Sequence, residues 1–157
     1  MRLAVFSDTH GNTAPMIRAV KETRPDAVVH LGDYDRDTVN LLRAFPGIRL
    51  YRVCGNCDMN PLAPYSLTVS FGKVTAFLTH GHQYQVDYRL DSLVYAAQEA
   101  GASLVLFGHT HSPCHEDIGG VKVINPGTAG KGWHLSWAQL EIFDNGGIAA
   151  EILPLKR

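Results

Sequence analysis

The chain has little charge of either sign. Only 18% of its 157 residues are Asp, Glu, Lys or Arg, and its 15 acids nearly cancel its 14 bases. Without a long-range field it cannot gather polyanions or anionic lipid, which argues against standing nucleic-acid or membrane binding. No apolar run is long enough for a membrane span, and the opening MRLAVF is too brief for the apolar stretch of a secretory leader. Cysteine is scarce and odd in number: Cys54, Cys57 and Cys114. That argues against a disulfide framework and for a reducing, cytoplasmic setting. Cys54 and Cys57 form a lone CxxC, whereas a structural zinc ribbon needs a second pair. Repeats, low-complexity tracts and Gly/Ser linkers are missing as well, so a single domain over residues 1–157 is expected.

What is present is a hydrophobic fraction of 45%, enough to fill a core, distributed in short runs. RLAVF (2–6), DAVVHL (26–31) and IRLYRV (48–53) read as strands, separated by helical patterns at 12–23 and 36–45. Asn12 is a plausible N-cap for the first helix, with Pro15 in its opening turn, where proline is tolerated. Strands separated by helices predict right-handed βαβ units and a parallel sheet. The second half differs in texture. SLTVSF and KVTAFLTH flank Gly72 as a hairpin, 89–100 is helical, and SLVLFG (103–108) is another buried strand. VKVIN, LSWAQLEIF and GIAAEIL close the chain as strands, with DNGG (144–147) a hairpin turn. The predicted class is α/β, two packed mixed β-sheets flanked by helices.

Ligands of open α/β sheets bind beyond the carboxyl ends of strands, and there the polar residues repeat one theme. LAVF runs into SDTH (Asp8, His10), VVHL into GDYD (Asp33), and YRVC into GNCD (Asn56, Asp58). AFLT runs into HGH (His80, His82) and LVLF into GHTH (His109, His111), so five strand ends in succession deliver Asp, Asn or His beside a glycine or small residue. One such residue would ordinarily cap a helix or brace a turn. Several converging on one rim would leave desolvated carboxylates with no Arg or Lys in those motifs to pair them, and a bound cation resolves that conflict. Mixed oxygen and imidazole donors suit borderline divalent metals, and so many donors suit two ions better than one.

The ordered motifs Asp8-x-His10, Gly32-Asp33, Gly55-Asn56, His80-Gly81-His82 and Gly108-His109-Thr110-His111 resemble those of the calcineurin-like metallophosphoesterase family. The Asn-Pro-Gly-Thr of 125–128 is similar to a turn of its small prokaryotic phosphodiesterases. The resemblance implies a four-layer sandwich holding two divalent ions, manganese first among candidates that include nickel, iron, zinc, cobalt and magnesium. It implies Asp8, His10, Asp33 and His111 on one ion, with Asp33 bridging to a second that also takes Asn56, His80 and His109. A metal-bridging hydroxide would attack a small or activated phosphodiester, with Asn56 stabilising charge on the phosphoryl oxygens. Many relatives carry a histidine after Gly-Asn that is thought to protonate the leaving group. Here that place is Cys57, followed by Asp58, and a thiol is a poorer proton donor at neutral pH than imidazolium.

The remaining polar residues divide between two readings. His82 faces the substrate or makes a structural hydrogen bond; Asn12 meets phosphate or caps its helix; His134, with Lys131, approaches the ligand or lies idle on its loop. His30, inside VVHL, reads as a core histidine that braces Asp33. Tyr34, Asp35 and Asp37 shape the substrate entrance or, more commonly for such a run, cap the second helix, their acids favouring the positive end of its dipole. His115 and Cys114 lead away on the next strand. A different class of function on the same fold is a protein-interaction scaffold with a weak site. No basic track supports a nuclease of long substrates, and the oligomeric state, a homo-oligomer included, is not legible in these residues.

Overall fold

A computed structural model describes residues 1–156. Two five-stranded mixed sheets lie face to face. The first has the order β10-β9-β1-β2-β3 and the second β4-β5-β6-β8-β7. β1 (Arg2–Phe6), β2 (Ala27–His30) and β3 (Arg49–Arg52) run parallel, connected through helices α1 (Ala14–Thr23) and α2 (Thr38–Ala44). β9 (Ser136–Ile142) and β10 (Ile148–Pro154) extend this sheet as an antiparallel hairpin. In the second sheet β4 (Ser66–Phe71) and β5 (Val74–Thr79) form the hairpin about Gly72. β6 (Leu104–Leu106) is parallel to both β5 and β8 (Val121–Asn125), and β7 (Cys114–Ile118) closes the edge.

The runs are continuously apolar because both faces of each central strand are covered. In β1, Leu3 and Val5 meet the inner layer while Ala4 and Phe6 turn outward under α1 and α2. In β6, Leu104 and Leu106 point inward and Val105 turns out toward α3 (Asp91–Glu99). The inner layer therefore joins Leu3, Val5, Val29 and Leu31 of one sheet to Ala76, Leu78, Leu104, Leu106 and Ile124 of the other. The four layers are helices, sheet, sheet, helix, as expected, and the strands that end in polar motifs all deliver them at one rim.

Three local expectations need correction. Asn12 does not cap α1: Thr13 occupies the cap position, without a side-chain cap bond, and the chain first turns through Asn12 N–H to Thr9 C=O (2.9 Å). The helix expected from 36 begins as a 3-10 turn, Asp35–Asp37, before α2 proper. Nor do Asp35 and Asp37 serve as side-chain caps: Asp37 stands at the cap position of α2 without a side-chain cap bond. Both are buried, and they accept hydrogen bonds from distant backbone, Asp37 Oδ2 from Gly11 N (2.8 Å) and Asp35 Oδ2 from Leu62 N (2.6 Å). The loops need these tethers because they leave the ladder with amides that nothing in the sheet can satisfy.

Leu106, fully buried in the inner layer, should cost about 2–5 kcal/mol when cut to Ala. Leu67, on edge strand β4 and only partly buried, should cost about 1 kcal/mol. Urea unfolding of the two variants measures the difference; equal losses would contradict the two-sheet core.

Candidate metal centre

The rim is built on strained turns. Asp8, His10, Asp33, His109 and His111 all have left-handed backbone, with φ of 57°, 45°, 56°, 69° and 58°. Each costs roughly 1 kcal/mol in a residue with a Cβ, so the turns persist only where other bonds hold them. Asp58 is one such tether. Its Oδ2 accepts from Gly55 N (2.7 Å) and Asp33 N (3.1 Å), and its Oδ1 accepts from Asp35 N (2.8 Å). Asn125 is another, donating through Nδ2 to Gly108 C=O (2.8 Å) and Thr110 Oγ1 (3.1 Å). Glycine is required where these loops touch: a Cβ on Gly108 would collide with Ser7 Oγ, and one on Gly55 with Asp33 Oδ1.

His30 ties the first two loops together. Fully buried, it accepts Gly32 N–H at Nδ1 (3.3 Å), so Nε2 carries the proton and donates to Thr9 Oγ1 (3.1 Å). Thr9 Oγ1 in turn reaches Asp33 C=O (3.5 Å). Burial pushes the His30 imidazole down to about 4, which keeps it neutral as this network requires. The bracing role read from the sequence is present, exerted through the Asp33 backbone.

The ligand atoms converge around Asp8. Its Oδ1 is fully buried and has no well-directed hydrogen bond, with imidazole nitrogens of His111 at 3.2 Å, His10 at 3.9 Å and His80 at 4.0 Å. Burial alone would raise the Asp8 carboxyl, but the contact with His111 and the field of His80 outweigh it and hold the group below its ordinary value. His111 is raised in return, chiefly by Asp8, while burial above all keeps His10 low, with His111 and then the Lys131 ammonium adding to that effect. His10 Nε2 and His111 Nε2 face each other at 3.4 Å.

Asp33 stands between two halves of the cluster. Its Oδ2 is 3.7 Å from His10 Nε2 and its Oδ1 is 3.4 Å from His80 Nε2 and 2.9 Å from the Cys57 N–H that it accepts. His80 is held by Leu31 C=O, 2.7 Å from Nδ1. A carbonyl only accepts, so Nδ1 bears a proton and Nε2 is the ring atom turned to the cluster. Nε2 faces Asn56 Oδ1 at 3.1 Å and Asp33 Oδ1 beyond it. Once Nε2 gives up any proton these three atoms are all acceptors, and a cation between them satisfies all three. The residues thus fit divalent metal, with the sets Asp8, His10, His111 and Asp8, Asp33, His80 each gathered within 4.8 Å.

His109 lies beside this cluster, its ring 5.2 Å from that of His80, but it belongs to neither set; its Nε2 bonds Asp87 Oδ2 instead, at 2.8 Å. His82 packs its ring against His80 (5.5 Å) and buries Nδ1 without a partner. Cys57 is exposed, and its thiol is pushed up to about 11, mainly by burial and then by Asp33. Asn12 reaches Gly130 C=O through Nδ2 (3.4 Å), and His134 is exposed without a bond to the cluster. Asp58 spends its carboxylate on three amides. Two contributors escaped the sequence reading. Asn125 was visible only as part of a turn motif, and Asp87 stands in no motif at all.

A double sheet whose parallel strand ends gather carboxylates and imidazoles in this way defines a metal-binding α/β sandwich. The chain belongs to the calcineurin-like phosphoesterase superfamily, whose domain model matches residues 1–144. It is 31% identical over 131 residues to "Probable metallophosphoesterase YsnB" of Bacillus subtilis, covering 82% of this chain and 75% of that one. With "Phosphodiesterase MJ0936" of Methanocaldococcus jannaschii it shares 23% over 144 residues, covering 81% and 83%. The zinc complex of Vps29 from Entamoeba histolytica superposes with a TM-score of 0.78 at 21% identity, over 98% of this chain and 99% of that one, a likeness of fold. No helix among the described residues is long and apolar enough to cross a membrane.

The neutral state of His30 has a pH consequence. Its folded value of about 4 lies below the ordinary 6.5, so the unfolded chain binds the extra proton between them. Stability from this group is complete above about pH 6.5 and falls as pH drops toward 4, by about 3 kcal/mol in all. Urea unfolding of metal-free protein at pH 7 and pH 4.5 should show a larger loss in wild type than in His30→Gln; parallel losses would contradict the assignment.

Proposed function

We propose that the chain is a dinuclear metal-dependent phosphodiesterase acting on small or activated phosphodiesters. The observation that supports it best is Asp33, with one carboxylate oxygen toward His10 and the other toward His80. Asp8, His10 and His111 would hold one ion, His80, Asn56 and His109 the other, with Asp33 shared. Two divalent ions, manganese first among the candidates, would supply Lewis acidity and an acidified water. Leu31 C=O keeps His80 aimed, and Asn56, exposed at the rim, would offer its amide N–H to a phosphoryl oxygen.

Charge balance favours a short substrate, since a net charge of −1 provides no track for a nucleic-acid polymer. The name of the archaeal relative supports a diester over a monoester. No imidazole stands where Cys57 does, and a thiol held near 11 is a weak acid. The rate would therefore depend on leaving-group acidity more than in relatives with a histidine at that place. A scaffold with a weak site draws on the likeness to Vps29, yet a scaffold has no need of buried acceptors left facing one another. Metal content after gentle purification separates the two.

Metal-free protein given manganese should hydrolyse activated diesters in preference to monoesters, and Asp33→Ala should lower turnover by about 10²- to 10³-fold. Monoesterase activity alone would overturn the diester assignment. His109→Ala and His111→Ala should each retain one ion, at different positions, by metal titration. Across diesters of graded leaving-group pKa, the wild-type rate should fall steeply as the leaving group becomes more basic, and Cys57→His should flatten the slope. A flat wild-type series, unchanged in the variant, would remove the argument from Cys57.

A further inference from the structure

The segment after His80 doubles back on itself. Gly81 turns with φ of 108°, and Val86, 6% exposed, packs over it and against Phe107, which directly precedes the GHTH loop. A Cβ on Gly81 would meet Val86 Cγ2 at 3.0 Å and Phe107 Cδ2 at 3.4 Å, so the seat is close-fitting. The next residue, Asp87, is thereby carried to His109, where Oδ2 lies 2.8 Å from Nε2. The backbone of His109 is held separately, its N–H donating to Asp8 Oδ2 (3.2 Å). Asp87 therefore acts on the ring, and Asp8 on the chain.

We infer that Asp87 is a positioning residue that sets the tautomer and orientation of His109 for the second metal position. The inference rests on the two-ion reading above. An ionised carboxylate only accepts, so Nε2 of His109 carries the proton and Nδ1 is the ring atom left with a lone pair. His80 is the mirror case: its Nδ1–H donates to Leu31 C=O, which turns Nε2 toward the cluster. The two rings are in edge contact, 5.2 Å apart, and each has one nitrogen occupied by the protein. They differ in the strength of the outer partner. A charged carboxylate makes its imidazole a better donor than a neutral carbonyl does, and loss of such an outer partner typically weakens metal binding 10- to 100-fold.

Asp87 is about half exposed, so its replacement should leave the fold intact, and its effect should be confined to one ion. The experiment is calorimetric titration of Mn²⁺ into metal-free full-length protein, with the coupled two-manganese electron paramagnetic signal as a second readout. Wild type should take up two ions. In Asp87→Ala one constant should fall about 10- to 100-fold while the other stays unchanged, and the coupled signal should appear only at higher Mn²⁺. Asp87→Asn, whose amide oxygen still accepts, should recover part of the loss. Two unchanged constants in Asp87→Ala, or two that fall together, overturn the inference while leaving the two-ion reading in place. A wild type that binds a single ion overturns that reading, and the inference with it.

Discussion

The constraint on which the site depends is a conflict among acceptors. Asp8 Oδ1 is buried without a directed bond, and Nε2 of His80 looks onto the oxygens of Asn56 and Asp33. In a low-dielectric rim these oxygens have given up water without donors enough to replace it. A divalent cation satisfies them together. The fold can carry this arrangement because the inter-sheet core beneath it is continuous and apolar, and the destabilised residues all sit at strand ends, outside that core.

Holding acceptors together requires a frame, and the frame is made of backbone hydrogen bonds to side chains that never reach the centre. Asp58 binds the amides of two loops, Asp37 reaches Gly11, Asn125 steadies the GHTH turn, and the neutral His30 relays from Gly32 through Thr9 to Asp33. These bonds offset the left-handed backbone of five of the seven candidate ligands. Carboxylates therefore serve two purposes here: those at 8 and 33, both buried, face the cluster, while those at 35, 37 and 58 only collect amides.

Much of this is legible in the sequence. Continuous apolar runs ending in Asp, Asn or His marked the strands and their functional ends, because a strand covered on both faces has few other places to put polar residues. The roles of Asp35, Asp37 and Asp58 were not legible. An acid next to a helix start looks the same whether it caps that helix or binds an amide more than twenty residues away. Asn12 was misplaced for a related reason: a local capping preference lost to a turn that closes on Thr9 first. Asp87 gave no signal at all, since its partner lies 22 residues away and neither spacing nor composition marks the pair.

The chain by itself determined which residue types stand at the ends of its buried strands, since alternation, apolar runs and the residues that follow them are properties of local sequence. Only the tertiary structure decided which of those residues face one another, which nitrogen of each imidazole is free, and which acids stay outside the cluster. Those outcomes depend on distances between loops from separate strands, and the packing of two sheets sets them.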